Sequence, residues 1–318
     1  MKYLILTSYL LFQLGLLAQM KSEIKPRIKT GKIYTNKKLS YYFENDKKGN
    51  CIFSKNDGMN GSITMIFVVE YDSLNREVKS YSAHSNIGFS INETEYLNDK
   101  VIHYDYSIKS ENSKDFDREI LNKINSQKEF LEMPGIKKLT NGLKIKTRIE
   151  VLDSMKNVKI EYYLSEIGDT TSINYYKYNK NNDEIFFHYG TLGSDEWTWD
   201  IYSIYDEKNN LIENFRISTE DGIKDTSEVR KYFYNEHNKL ISENYFNKNE
   251  FNSKTEYYYD KKMNLYKELF YEYQEFEIDV ITKYKFNKNG IAVKKISKDF
   301  RNPKHEQKES ITYELMYW

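Results

Sequence analysis

Histidines, acidic pairs, cysteine and clustered aromatics are the side chains whose spacing could report chemistry. The five histidines are His84, His103, His188, His237 and His305, and none stands four residues from another, as two metal ligands on one helical face would. His237 sits in a turn and is read as solvated, while His103 and His188 fall in strand-like runs as ordinary sheet residues. Asn179-Lys180-Asn181-Asn182-Asp183 has calcium-type donors but lacks the glycine and distant glutamate of a calcium loop, so it reads as a turn. Glu161, Glu243 and Glu268 each follow an apolar strand start by three residues. Paired carboxylates can hydrolyse glycosides, but recurrence in successive units points to a structural or solvating role. Cys51 is the only cysteine, which excludes an internal disulfide and reads as a buried small hydrophobe. No glycine-rich phosphate cradle and no Gly-x-Ser-x-Gly elbow occurs. The sequence therefore assigns no catalytic residue, no cofactor and no metal.

One aromatic group does suggest recognition. Trp197 and Trp199 flank Thr198, so a strand would point both indoles to one side, beside Tyr189 and Tyr202. Such a platform can stack on sugars or seat a partner's side chains, and these four residues are the candidate binding site.

The elements that must hold this platform follow from a repeat. Tyr178, Tyr205, Tyr234, Tyr259 and Phe286 recur 25 to 29 residues apart, each followed by Asp or Asn, a short polar loop and an apolar residue. Phe43, Tyr71, Leu97 and Leu152 continue the pattern upstream, with one double-length gap between Leu97 and Leu152. Within Tyr232-Phe233-Tyr234 the side chains alternate between faces as a strand requires. An Asp or Asn that opens the loop bonds its own backbone two residues on, and a late Asn or Gly, such as Gly290, accepts the left-handed conformation. Each unit is thus a β-hairpin with a three-to-five-residue loop built on a type I turn. Isolated hairpins are marginal in water, so neighbours must join. The 3 prolines, Pro26, Pro134 and Pro303, leave a long proline-free run for strands that donate on both sides.

The expected fold is all-β: tandem antiparallel hairpins forming an extended, twisted meander sheet, with one helical insertion near 113–133. There Phe116, Ile120 and Ile124 recur at four-residue steps before Pro134-Gly135. The expected divisions are a signal peptide at 1–18, divergent hairpins at 19–112, the insertion and connector at 113–148, and C-terminal hairpins at 149–318.

Composition fits this reading. The 318 residues hold 48 basic and 48 acidic side chains, which argues against nucleic acid and a polybasic membrane surface. A mean hydropathy of −0.79 would suggest disorder, but 30 Tyr, 17 Phe and 3 Trp supply a core. Lys2 followed by the apolar run Tyr3–Leu17 and Ala18-Gln19 reads as an export signal, placing the chain in the periplasm or outside the cell. Nothing later has the length of apolar sequence a helical membrane span needs, so no span is expected after signal removal.

The dipeptides Tyr71-Asp72, Tyr205-Asp206 and Tyr259-Asp260, with near matches at Tyr178-Asn179, Tyr234-Asn235 and Phe286-Asn287, resemble the YD repeats of RHS-type bacterial surface and toxin-shell proteins. They are also similar to the hairpin repeats of the MORN-variant family. The units here are longer and mostly carry Asn where the YD family has Gly-Arg, so the resemblance implies β-repeat architecture and surface binding, with no transferable active residue. The functional expectation is an exported, non-enzymatic binding or scaffold module for an unknown protein or glycan. The alternatives are an envelope immunity protein and a glycan hydrolase using the Glu and Tyr rows.

Overall fold

The computed structural model describes residues 28–57, 64–85, 88–107, 118–133, 136, 142–192, 197–220, 222–248, 250–272, 279–287, 291–300 and 307–317. The leader at 1–18 lies outside these residues. Twenty strands follow one another. The first seven are β1 (Ile28–Thr35), β2 (Lys38–Asn45), β3 (Cys51–Asp57), β4 (Thr64–Tyr71), β5 (Glu77–His84), β6 (Gly88–Tyr96) and β7 (Lys100–Ser107). Among the described residues two short helices, α1 (Arg118–Lys123) and α2 (Gln127–Leu131), precede β8 (Leu143–Leu152), β9 (Val158–Leu164), β10 (Thr170–Tyr178), β11 (Glu184–Thr191) and β12 (Trp197–Tyr205). The remainder are β13 (Leu211–Glu220), β14 (Ile223–Tyr234), β15 (Leu240–Asn247), β16 (Glu250–Tyr259), β17 (Leu265–Glu272), β18 (Val280–Phe286), β19 (Ala292–Asp299) and β20 (Gln307–Tyr317).

Every strand pairs antiparallel with its sequence neighbours, and β1 also pairs with β20, from Ile28 opposite Tyr317 to Thr35 opposite Ile311. The sheet is therefore a closed 20-stranded barrel. This corrects the expected open, extended meander. Closure gives the outer edges of β1 and β20 a partner, removing the unpaired rows of N–H and C=O groups that an open sheet would expose. It also corrects the expectation of no membrane span. Among the described residues no helix is long and apolar enough to cross a membrane, but a closed antiparallel barrel can cross by its strands. The expected absence of a span does not hold for such a barrel, and the periplasmic placement read from the export signal gives way with it.

The repeat has a concrete physical basis. In the turns opened by Asp46, Asp153, Asn179, Asp206, Asn235 and Asp260, the Oδ1 atom accepts the backbone N–H groups two and four residues on, at 2.8–3.0 Å. The fourth residue of each turn has positive φ: Gly49 at 96°, Lys156 at 70°, Asn182 and Asn209 at 65°, Asn238 at 56° and Met263 at 61°. That is why Asn or Gly recurs there. The tyrosine before the turn locks one hairpin to the previous one. Tyr71, Tyr178, Tyr205, Tyr234 and Tyr259 donate their hydroxyls to the carbonyls of Cys51, Val158, Glu184, Leu211 and Leu240, each the first residue of the preceding hairpin's outgoing strand, at 2.8–3.3 Å.

Of the expected helical insertion, Arg118–Lys123 and Gln127–Leu131 are helical, and residues 113–117 lie outside the described residues. It joins β7 to β8, which pair directly. Leu121, Phe130, Met133 and Ile136 pack on Phe53, Ile66, Val68, Tyr81, Ala83 and Ile91, the main buried cluster. Burying one such side chain stabilises by roughly 1.5–3 kcal/mol. The Lys55 ammonium donates to the carbonyls of Asn122 (2.8 Å) and Ile124 (3.2 Å), closing the end of α1. These contacts define a helix face of the sheet. Charged side chains stand on both it and the opposite face.

Candidate binding surface

On the opposite face, hairpin geometry sets a rung of directly paired residues: the third before each turn residue faces the eighth after it. Glu150 thus faces Glu161, Tyr176 faces Phe187, Tyr232 faces Glu243, Tyr257 faces Glu268 and Tyr284 faces Lys295. Between hairpins the tyrosines reach back to the preceding glutamate. Tyr176 donates to Glu161 at 2.8 Å, Tyr257 to Glu243 at 3.3 Å, and Tyr284 bonds Glu268. The three glutamates singled out from sequence are therefore structurally equivalent, each held by a tyrosine of the next hairpin.

The rung is most elaborate over β6–β10. Thr94 meets His103 Nδ1 at 3.2 Å, and His103 Nε2 lies 2.9 Å from Glu150 and 3.0 Å from Arg148. Arg148 spans both carboxylates, 3.1 Å from Glu150 and 3.2 Å from Glu161. Asn174 adds a donor to Glu161 at 2.8 Å. Burial pushes the Glu150 carboxyl up, but the hydrogen bond and charge of His103, with the charge of Arg148, outweigh it and hold the group below the usual carboxylate range. Glu268 behaves oppositely. Burial dominates and raises it, against the charge of Lys295 and the hydroxyl of Tyr284. Lys295 is only 3% exposed.

Aromatic rings continue this surface without a break. Asn174 faces Tyr189, and Tyr189 faces Trp199, with ring centroids 5.0 Å apart and planes at 43°. The Arg216 guanidinium lies 5.2 Å from the Trp199 ring and is steered by Glu228 at 2.8 Å and Ser227 at 3.0 Å. The surface thus alternates fixed charges, hydroxyls and amides with indole and phenol rings.

The structure brings two of the four sequence-named residues together, Tyr189 and Trp199. Trp197 occupies the same side of β12 by register, opposite Glu220, and its side chain lies outside the described residues. Tyr202 stands on the helix face instead, between Phe186 (5.1 Å) and Phe215 (5.0 Å), because three residues along a strand reverse the side. Arg148, Asn174, Tyr176 and Arg216 were not singled out from sequence. Their signal was positional: Tyr176 lies three before a turn Asn, and Glu161, which gathers three of these groups, lies eight after a turn Asp.

No family model matches the chain, and no curated protein does. The resemblance to YD and MORN-variant repeats therefore finds no support and is set aside, the repeat being a barrel hairpin. Among solved structures the chain is similar to a porin-like protein from Bacteroides uniformis. The identity is 9%, over 93% of this chain and 100% of that one, with a TM-score of 0.32, too low to carry any argument.

Proposed function

We propose that this chain is an exported barrel of the cell envelope that works as a non-enzymatic binding module, with a glycan chain as the ligand of the β8–β13 surface. One observation carries the reading: the hydrogen-bonded row from Arg148 and Glu161 through Asn174 and Tyr176 runs directly into the Tyr189–Trp199 ring pair. Sugars need both halves of that arrangement, since their hydroxyls take fixed polar partners, here Arg148 and Tyr176 braced by the buried Glu161 and Asn174, while their C–H faces lie on aromatic rings. The donors are ordered by one another, so little freedom remains to be lost on binding.

The test is a screen of envelope glycans against the purified chain, followed by calorimetry. A glycan should bind, and Tyr189→Ala with Trp199→Ala should weaken it at least tenfold with the melting curve still cooperative. Absence of any glycan ligand, or affinity unchanged in the double variant, would overturn the proposal.

A further inference from the structure

The chain is neutral overall, with 48 basic and 48 acidic residues, yet its charge is segregated. On the helix face of β17–β20, register places six lysines on four adjacent strands. Lys267 faces Lys283, Lys285 faces Lys294, and Lys298 faces Lys308. Like charges directly opposite on a sheet repel, so these pairs oppose folding. Elsewhere on this face several cations are neutralised: Lys79 and Lys144 share Glu93, Lys231 meets Glu213, and Lys254 meets Glu256. Among the described residues, Lys267, Lys283, Lys285, Lys294 and Lys308 have no acidic partner within 4.0 Å. The neighbouring acids are engaged, Glu256 by Lys254, Tyr258 and Tyr271, and Glu314 by Tyr34. Lys283, Lys285 and Lys308 are exposed.

We propose that this lysine field is a second binding surface, independent of the glycan reading above, and that it takes an acidic polysaccharide. Four strands at about 4.8 Å spacing spread the charges over roughly 15 Å. That geometry suits a polymer with an anion on every sugar better than one compact ion. Lysine throughout, with no arginine, gives hydrated point contacts tolerant of a flexible chain instead of the planar fork that grips a single phosphate. Among the described residues, the Tyr258 ring under Lys267 at 4.1 Å is already occupied by a cation.

Fluorescence anisotropy of the full chain with labelled polygalacturonate tests this, with neutral dextran and a mixed-sequence DNA duplex as the other arms. Binding should appear at about 50 mM salt and weaken on the order of a hundredfold by about 200 mM, as counterion release from five or so contacts requires. Lys283→Gln with Lys285→Gln should weaken low-salt binding at least tenfold and leave Tm unchanged or raised, because two repulsive pairs are relieved. Lys208→Gln with Lys239→Gln, in the turns, should leave binding unchanged. No polygalacturonate binding at low salt, equal binding by the Lys283/Lys285 variant, equal capture of dextran, or tighter capture of the duplex would each overturn the proposal.

Discussion

Replacing Arg148 by Met separates electrostatic support from mere packing in the β8–β10 network. The substitution keeps most of the aliphatic stem and deletes the guanidinium that lies 3.2 Å from Glu161 and 3.1 Å from Glu150. Glu161 is the buried member of the pair, its side chain 6% exposed against 33% for Arg148. Removing one partner of a buried pair costs about 3–5 kcal/mol, since the other charge stays desolvated. Glu161 keeps the donors of Asn174 and Tyr176, and a third of Arg148 is in water, so about 3 kcal/mol is expected. For 318 residues the unfolding entropy is about 0.7 kcal/mol/K, making the loss about 4–5 °C in Tm. Glu161→Gln alone should cost less, about 1 kcal/mol, because Arg148 keeps Glu150 and His103. The double variant should then cost less than the sum of the singles, because Glu161→Gln removes the charge that Arg148→Met strands, with a coupling of about 1–3 kcal/mol. Calorimetry of the four proteins measures the cycle. Additivity within about 0.5 kcal/mol would show that the pair is not energetically linked and that the network is a geometric coincidence.

Two further outcomes test the repeat itself. Tyr259→Phe removes the hydroxyl bonded to Leu240 at 2.8 Å and should cost about 0.5–1.5 kcal/mol by urea unfolding, while Tyr266→Phe, on a ring that is 42% exposed, should cost nothing measurable. In alkali, Tyr41, Tyr71 and Tyr259 are each raised from 10.0 to about 12, by burial foremost. The folded state then holds these protons more tightly than the unfolded one, so their stabilisation is complete below pH 10 and lost as pH climbs towards about 12. Melting scans between pH 9 and 12 should show Tm falling across that window, and a flat profile would contradict the assignment.

The hairpin was legible because its determinants are local. Asp206 and Asn209 are three residues apart, their turn needs one Oδ1 acceptor and one positive φ, and both requirements leave a mark in residue type. The period was legible because Tyr234 must reach Leu211, which fixes the spacing between hairpins. Closure was not, since Gly31 opposite Leu315 is a contact between chain ends that no neighbouring residue encodes. Cross-strand register was equally hidden. Nothing in the run around Trp199 says that Tyr189, not Tyr202, will stand beside it, and only the pairing of β11 with β12 decides that. The same ignorance of register concealed the meeting of Arg148 with Glu161 and the clustering of lysines that are scattered along the sequence.

The seam between β1 and β20 has one more consequence. With Ile28 opposite Tyr317, the ring has no intrinsic beginning: each strand is flanked as every other is, and strands adjacent in sequence are adjacent in the wall. Opening the chain at the Asp206–Asn210 turn and splicing the old ends together would keep every ladder, including the one now closed without a covalent link. The order in which strands leave the ribosome is thus separable from the shape they make, so a rearranged gene would isolate the contribution of synthesis order to folding from that of the finished wall.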